Sequence, residues 1–295
     1  MSRLLAQSGV VPSRGTDRMA PFWLMAALLV VACWVPRADA GDLETQAEYL
    51  MIQNIMKNAG VLEIIYQVPD WIEQEMKNLE ATPVPFDHSE LTSVRSELES
   101  AFSLAALKER LKLRLAEQFT FDELTALNEI FKQPGVKEFH SLQEGTRNEY
   151  IKADIRSYKA KLKNMTPRGS RVEMVKSLDE NLKQSRLETE LKVELRKSLL
   201  TSVSWVKSNE LLKEGVLEKE LSGYRERVGE EINRNALIFY LYLFKRTPSP
   251  ELNELVSAFQ QPDYKRFMAI CHEEMLASIK EARRQIPEDI NLAGN

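Results

Sequence analysis

The segment FDELTALNEIFKQPGVKEF, residues 121–139, returns without a gap as SPELNELVSAFQQPDYKRF, residues 249–267, at an offset of 249 − 121 = 128 residues. Eight aligned positions are identical: Glu123/Glu251, Leu124/Leu252, Leu127/Leu255, Phe131/Phe259, Gln133/Gln261, Pro134/Pro262, Lys137/Lys265 and Phe139/Phe267. Average residue usage would give roughly one identity by chance. Because an internal repeat is a structural unit used twice, the pattern predicts a fold built from two similar halves.

Each copy has the pattern of two helices joined at a proline. Thr120 and Glu123 match a capping box, in which each side chain satisfies the other residue's backbone amide. Pro134 cannot continue that helix, but proline is favoured as the first residue of the next one. The second helix is expected to run on to Leu162. Apolar positions at helical spacing are Leu124, Leu127, Ile130, Phe131, Phe139, Leu142, Ile151, Ile155, Tyr158 and Leu162 in copy one, and Leu252, Leu255, Phe259, Phe267, Ile270 and Ile279 in copy two.

The repeat extends upstream and suggests an all-α fold with two tandem helical repeats of about 120 residues, a normal size for a small domain. We expect repeat 1 to cover residues 41–165 and repeat 2 to cover 170–290, each as a bundle of about four to six helices. The joint between them is the Pro/Gly-containing stretch 165–170. A proline-rich loop at residues 81–88 occurs in copy one only.

Residues 1–40 have the composition of an export signal. Three arginines precede an apolar run at residues 21–33, and Ala38-Asp-Ala40 then offers a small-x-small cleavage site. The run is short for a bilayer-spanning helix. Cleavage would leave a mature chain that begins at Gly41. The alternative is a lipoprotein signal at Val30-Val-Ala-Cys33, with lipid attached to Cys33. The sequence does not decide whether Met1 or Met19 is the start.

Net charge and cysteine content argue against nucleic-acid binding and against a disulfide-stabilised fold. The chain carries a net charge of −4. Loss of residues 1–40 would make it more acidic, since that segment has more basic than acidic residues. An acidic balance argues against nucleic acid as the main partner. Cleavage would leave Cys271 as the only cysteine, which excludes an internal disulfide and fits a small buried side chain.

The sequence has few motifs associated with catalysis or with metal or phosphate binding. The sequence has no Gly-x-Ser-x-Gly, Cys-x-x-Cys or His-Glu-x-x-His motif and no glycine-rich phosphate loop. His140 and Glu144 lie one helical turn apart and could share a metal, but two ligands do not make a site. We therefore predict no catalytic residues, no cofactor and no metal. An enzyme with dispersed catalytic residues is the remaining catalytic hypothesis.

The stretch ALIFYLYLF, residues 236–244, is apolar on every side, whereas its counterpart at residues 108–116 is half charged. A helix that is apolar all round is expected to be buried, so the first interpretation is core packing between the two repeats. The alternative is a groove for an apolar ligand or a partner helix, contacted by Phe239, Tyr240, Tyr242 and Phe244. The tyrosines would then supply polar tips.

One stretch resembles the bacterial family known as domain of unknown function twenty fifty-nine. The matching residues are Phe119, Thr120, Glu123, Leu124, Phe131, Pro134, Gly135 and Lys137. Lys132 stands where the family has Tyr, and Gln133 stands where it has Ser. Copy two has Asp263 in place of the glycine. The resemblance implies a small exported helical protein and no particular activity.

These observations favour an exported, non-enzymatic helical protein of the bacterial envelope, periplasmic or secreted, that acts by protein–protein interaction or structural support. The alternative function is a carrier of an apolar ligand or lipid at the aromatic helix. The expected partner is an envelope protein, with no nucleic acid. Membrane contact is expected only through a lipid on Cys33.

Overall fold

Helix-favouring sequence with few glycines and prolines produces helices joined by short turns. The structure is a computed structural model that describes residues 40–82 and 85–293, and no strand occurs among them. The helices are α1 Ala40–Asn58, α2 Val61–Glu80, α3 His88–Ala101, α4 Leu104–Gln118, α5 Phe121–Lys132, α6 Pro134–Gly145, α7 Glu149–Lys161, α8 Gly169–Leu182, α9 Gln184–Ser208, α10 Glu214–Leu243, α11 Ser249–Phe259 and α12 Pro262–Ala293. The predicted all-α class is confirmed.

The capping box predicted from Thr120 and Glu123 forms at the start of α5. The Glu123 amide donates to the Thr120 hydroxyl at 3.3 Å, and the Thr120 amide donates to the Glu123 carboxylate at 2.8 Å. Asp87 and Glu90 make the same reciprocal pair at the start of α3. Each box satisfies amides that the first helical turn leaves without intrahelical partners.

Proline begins a helix at both predicted places. Pro134 is the first residue of α6, and Pro262 is the first residue of α12. The helices before them, α5 and α11, begin at Phe121 and Ser249. Both pairs of helix starts are therefore separated by the sequence offset of 128 residues, since 262 − 134 and 249 − 121 are equal.

The expected continuous helix from Pro134 to Leu162 is wrong. It breaks after Gly145, and α7 begins at Glu149 because the Asn148 side chain accepts a hydrogen bond from the Tyr150 amide at 2.9 Å. Asparagine favours such a cap over a helix interior because its short side chain competes for backbone amides. With this break, the described part of residues 40–165 holds seven helices, more than the four to six expected.

Helix α9 lies at the centre of the packing. It contacts α2, α3, α8, α10 and α12. Helices of the two predicted repeats also pack crosswise, α5 against α12 and α6 against α11. One hydrophobic core draws residues from both predicted repeats, and Thr45–Asn295 forms one compact unit.

Phe139 occupies the middle of the aromatic part of this core. Its ring lies 5.7 Å from Phe244, 6.0 Å from Phe259 and 6.3 Å from Tyr240, measured between centroids. Tyr264 lies 4.9 Å from Phe259 and 6.2 Å from Phe131 by the same measure. Aromatic side chains from α5, α6, α10, α11 and α12 thus pack together.

Candidate functional site: a polar cleft beside the aromatic helix

The aromatic stretch of α10 is mostly buried. Tyr240, Tyr242 and Phe244 are 4%, 6% and 2% exposed, and Phe239 is partly buried against the same core. This burial agrees with the core-packing interpretation. Of the four residues expected to contact a ligand, only Phe239 and Tyr240 line an open cleft.

Tyr242 packs on the side facing α7, away from that cleft. Its hydroxyl donates to the Asp154 carboxylate at 2.7 Å, and the Lys245 ammonium lies 3.7 Å from its ring centroid. The hydrogen bond from Tyr242, followed by that from Lys245, lowers the pKa of Asp154. Burial, and then the Asp154 hydrogen bond, raises the pKa of Tyr242. Tyr242 therefore ties α10 to α7.

Tyr240 connects the core to the cleft through Gln184, the first residue of α9. The Tyr240 hydroxyl donates to the Gln184 side-chain oxygen at 3.5 Å, and burial holds the pKa of Tyr240 well above its ordinary value. The Gln184 amide group donates to the Ala59 carbonyl at 2.8 Å. Gly60, the residue after Ala59, has a φ of 74°, which is the left-handed conformation that favours glycine.

The cleft has a volume of about 600 Å³ and four walls. One wall is the turn between α1 and α2 with the first turns of α2, and another is the end of α6. The third is the start of α9. The fourth is a stripe of α10 at helical spacing: Val228, Glu231, Ile232, Asn235, Ala236 and Phe239. Side chains far apart in sequence thus face one space.

Two polar atoms of the cleft wall are buried without a hydrogen-bond partner among the described residues. They are Oε2 of Glu63 and Nε2 of His140. The other Glu63 oxygen pairs with Arg147 at 3.3 Å. Burial lowers the pKa of His140, although Gln143 and Glu144 oppose the shift, so the neutral imidazole is favoured. Buried polar groups normally have partners, and an unsatisfied one costs about 1–3 kcal/mol.

Some of the charged side chains that line the cleft form salt bridges, and others do not. Lys192 and Glu188 form a salt bridge at 2.9 Å. Glu144, Glu231 and Lys57 also line the cleft and have no ion pair among the side chains that the structure describes. The unpaired groups therefore carry more negative than positive charge.

The remaining candidates from the sequence are Cys271, the His140–Glu144 pair and Cys33. Cys271 is fully buried, as predicted, and burial raises the pKa of its thiol. His140 and Glu144 do line the cleft, but no group of three or more metal-ligating residues occurs among the described residues. Cys33 and the predicted signal segment 1–40 lie outside the described residues, apart from the backbone of Ala40.

Sequence reasoning missed Glu63, Arg147 and Gln184 as parts of a site. Their grouping depends on how α2, the turn after α6 and α9 pack, which a repeat offset does not specify. One signal was available: Glu231, Asn235 and Phe239 follow helical spacing on α10 and form a mixed polar and apolar stripe.

Comparisons with protein-family models, curated proteins and solved structures find no match to this chain. The family resemblance drawn from residues 119–137 therefore stays a prediction. Within the described residues, no helix combines the length and apolar character needed to cross a membrane.

Proposed function

We propose that this chain is an exported helical protein that acts by binding rather than by catalysis, and that the cleft between α2, α6, α9 and α10 is its binding site. The observation that carries this proposal is the pair of unpartnered buried atoms, Glu63 Oε2 and His140 Nε2, in the wall of one cleft. A bound molecule with hydrogen-bonding groups would satisfy both atoms. Ligand sites combine such placed polar groups with apolar lining.

The binding site would be built by two tandem repeats, residues 41–165 and 170–290. The equal offsets of the paired helix starts and the crosswise packing of α5 with α12 and α6 with α11 support this organisation. Walls from both repeats enclose the cleft, so a function at this site would need the two repeats together.

The proposed envelope location rests on the sequence of residues 1–40. Intact-mass analysis of the protein from its native host tests it. A mature chain that starts at Gly41 supports a periplasmic or secreted protein. A diacylated or triacylated chain that starts at Cys33 would place it at a membrane surface instead.

The groove for an apolar ligand is the less favoured form of the binding hypothesis. Tyr242 and Phe244 are buried, and the cleft next to Phe239 and Tyr240 carries charged and amide side chains. A purely apolar ligand would leave these polar groups without partners. An envelope protein could still reach the rim of the cleft with a polar side chain.

Native mass spectrometry of the protein purified from its host tests the binding proposal. Asn235 is an exposed cleft residue, so Asn235→Trp should fill the cleft and leave the fold intact. Asn253→Trp, at an exposed position of α11, is the matched control. We expect a bound small molecule in wild type and Asn253→Trp and its loss in Asn235→Trp. Equal retention in all three proteins would contradict the assignment of the cleft.

A further inference from the structure

We infer that the cleft takes an aliphatic amine, with protonated amino groups on the glutamates and the methylene chain on the apolar stripe of α10. This inference rests on the proposed function, because it names the class of ligand for the same cleft. It concerns small molecules such as diamines and polyamines.

Both unpartnered atoms can accept a hydrogen bond. Glu63 Oε2 is a carboxylate oxygen. His140 Nε2 also has no hydrogen-bond partner among the described residues. A neutral imidazole that donates from Nδ1 presents a lone pair at Nε2. A protonated amine offers three donors and no acceptor, which suits two acceptors in one wall.

The charge balance of the cleft points the same way. Arg147 and Lys192 are already paired with glutamates, whereas Glu144 and Glu231 have no ion-pair partner within the described side chains. Lys57 is the opposing unpaired cation, and all three of these unpaired groups are exposed. An anionic ligand would have one unpaired cation to bind and would meet three glutamates with free oxygens. Like charges brought together in this way disfavour binding.

The rest of the lining suits a methylene chain. Ile64, Val228, Ile232 and Ala236 give the cleft aliphatic surface next to the carboxylates. The partly buried Phe239 ring adds an aromatic face, which attracts ammonium groups through its quadrupole. A ligand with charged ends and an apolar middle matches this alternation better than a uniformly polar one does.

A matched four-carbon series tests the inference by isothermal titration calorimetry on the mature chain. 1,4-Diaminobutane carries two cations, 1,4-butanediol is neutral and butanedioate carries two anions, with spermidine as a longer amine. We expect heat from diaminobutane and spermidine only. Glu63→Gln should weaken amine binding roughly tenfold to a hundredfold, because a charge-assisted hydrogen bond becomes a neutral one. Glu254→Gln, at an exposed position of α11, should leave it unchanged.

The variant Lys57→Gln distinguishes a cationic ligand from an anionic one. Amine affinity should stay equal or rise in this variant, because it removes a nearby positive charge. Loss of amine affinity would overturn the inference. Binding of butanedioate or butanediol, but of neither amine, would overturn the amine class and keep the cleft as a binding site if Asn235→Trp abolishes it. Binding of none of the four compounds would overturn the amine inference, and the native mass spectra would then decide the proposed function separately.

Discussion

The side-chain amide of Gln184 donates to the carbonyl oxygen of Ala59 at 2.8 Å, across 125 residues of sequence. This bond fixes the first residue of α9 against the turn between α1 and α2, where two walls of the cleft meet. Gly60 allows the contact, because a Cβ atom at that position would lie 2.2 Å from the Gln184 nitrogen. A glycine in a left-handed turn thus determines how closely two cleft walls approach.

Gly60→Ala should destabilise the protein by about 2 kcal/mol or more, because it adds a left-handed alanine and forces Gln184 off the Ala59 carbonyl. Gly135→Ala is the control. Its added Cβ would meet nothing within 4 Å, so stability should stay equal or rise by up to about 1 kcal/mol. Urea melts measure both. Equal stability of the two variants would contradict the described turn.

Phe131→Ala and Phe259→Ala should each lower the free energy of unfolding by about 3–5 kcal/mol, since both phenylalanines are buried and contact Tyr264. Lys137→Ala, at an exposed position, should change it by less than about 0.5 kcal/mol. Denaturant melts decide this prediction. A negligible cost at either phenylalanine would remove the structural basis of the repeat alignment.

Tyr242→Phe should raise the pKa of Asp154 toward its ordinary value, because the tyrosine hydroxyl is the first cause of the lowered pKa. A carboxyl group whose pKa is lower in the folded chain stabilises the fold above its unfolded pKa, and this contribution is lost as the pH falls through the folded pKa. The stability difference between wild type and variant should therefore shrink in acid. NMR titration of the Asp154 carboxyl carbon measures the pKa, and an unchanged value would refute the contact.

Tyrosine nitration should separate the exposed from the buried rings. Tyr150 is 86% exposed and should react first, whereas Tyr240 and Tyr242 should react only when the chain unfolds. Peptide mass spectrometry after brief treatment identifies the nitrated residues. Early nitration of Tyr240 or Tyr242, together with protected amides in residues 236–244, would favour the apolar groove over core packing.

The helices and much of the core follow from local sequence, whereas the cleft does not. The Thr120–Glu123 box, the proline helix starts and the buried phenylalanines were predictable because caps, breakers and apolar spacing act within a few residues. The break before Glu149 was missed because the apolar spacing of Ile151 and Ile155 continues across it. Gln184 and Glu63 line the cleft only because of tertiary packing. No local sequence pattern therefore predicts that they belong to a site.

Methyl NMR tests the central claim, that the cleft is a ligand site, most directly. Ile64, Val228 and Ile232 line the cleft, and Ile279 is a buried reference outside it. When a small-molecule extract of the host is added to ligand-free protein, the account predicts shifts in the three cleft methyls, an unchanged Ile279 and no shifts in Asn235→Trp. Unchanged cleft methyls in the wild type, or equal shifts in Asn235→Trp, would contradict it.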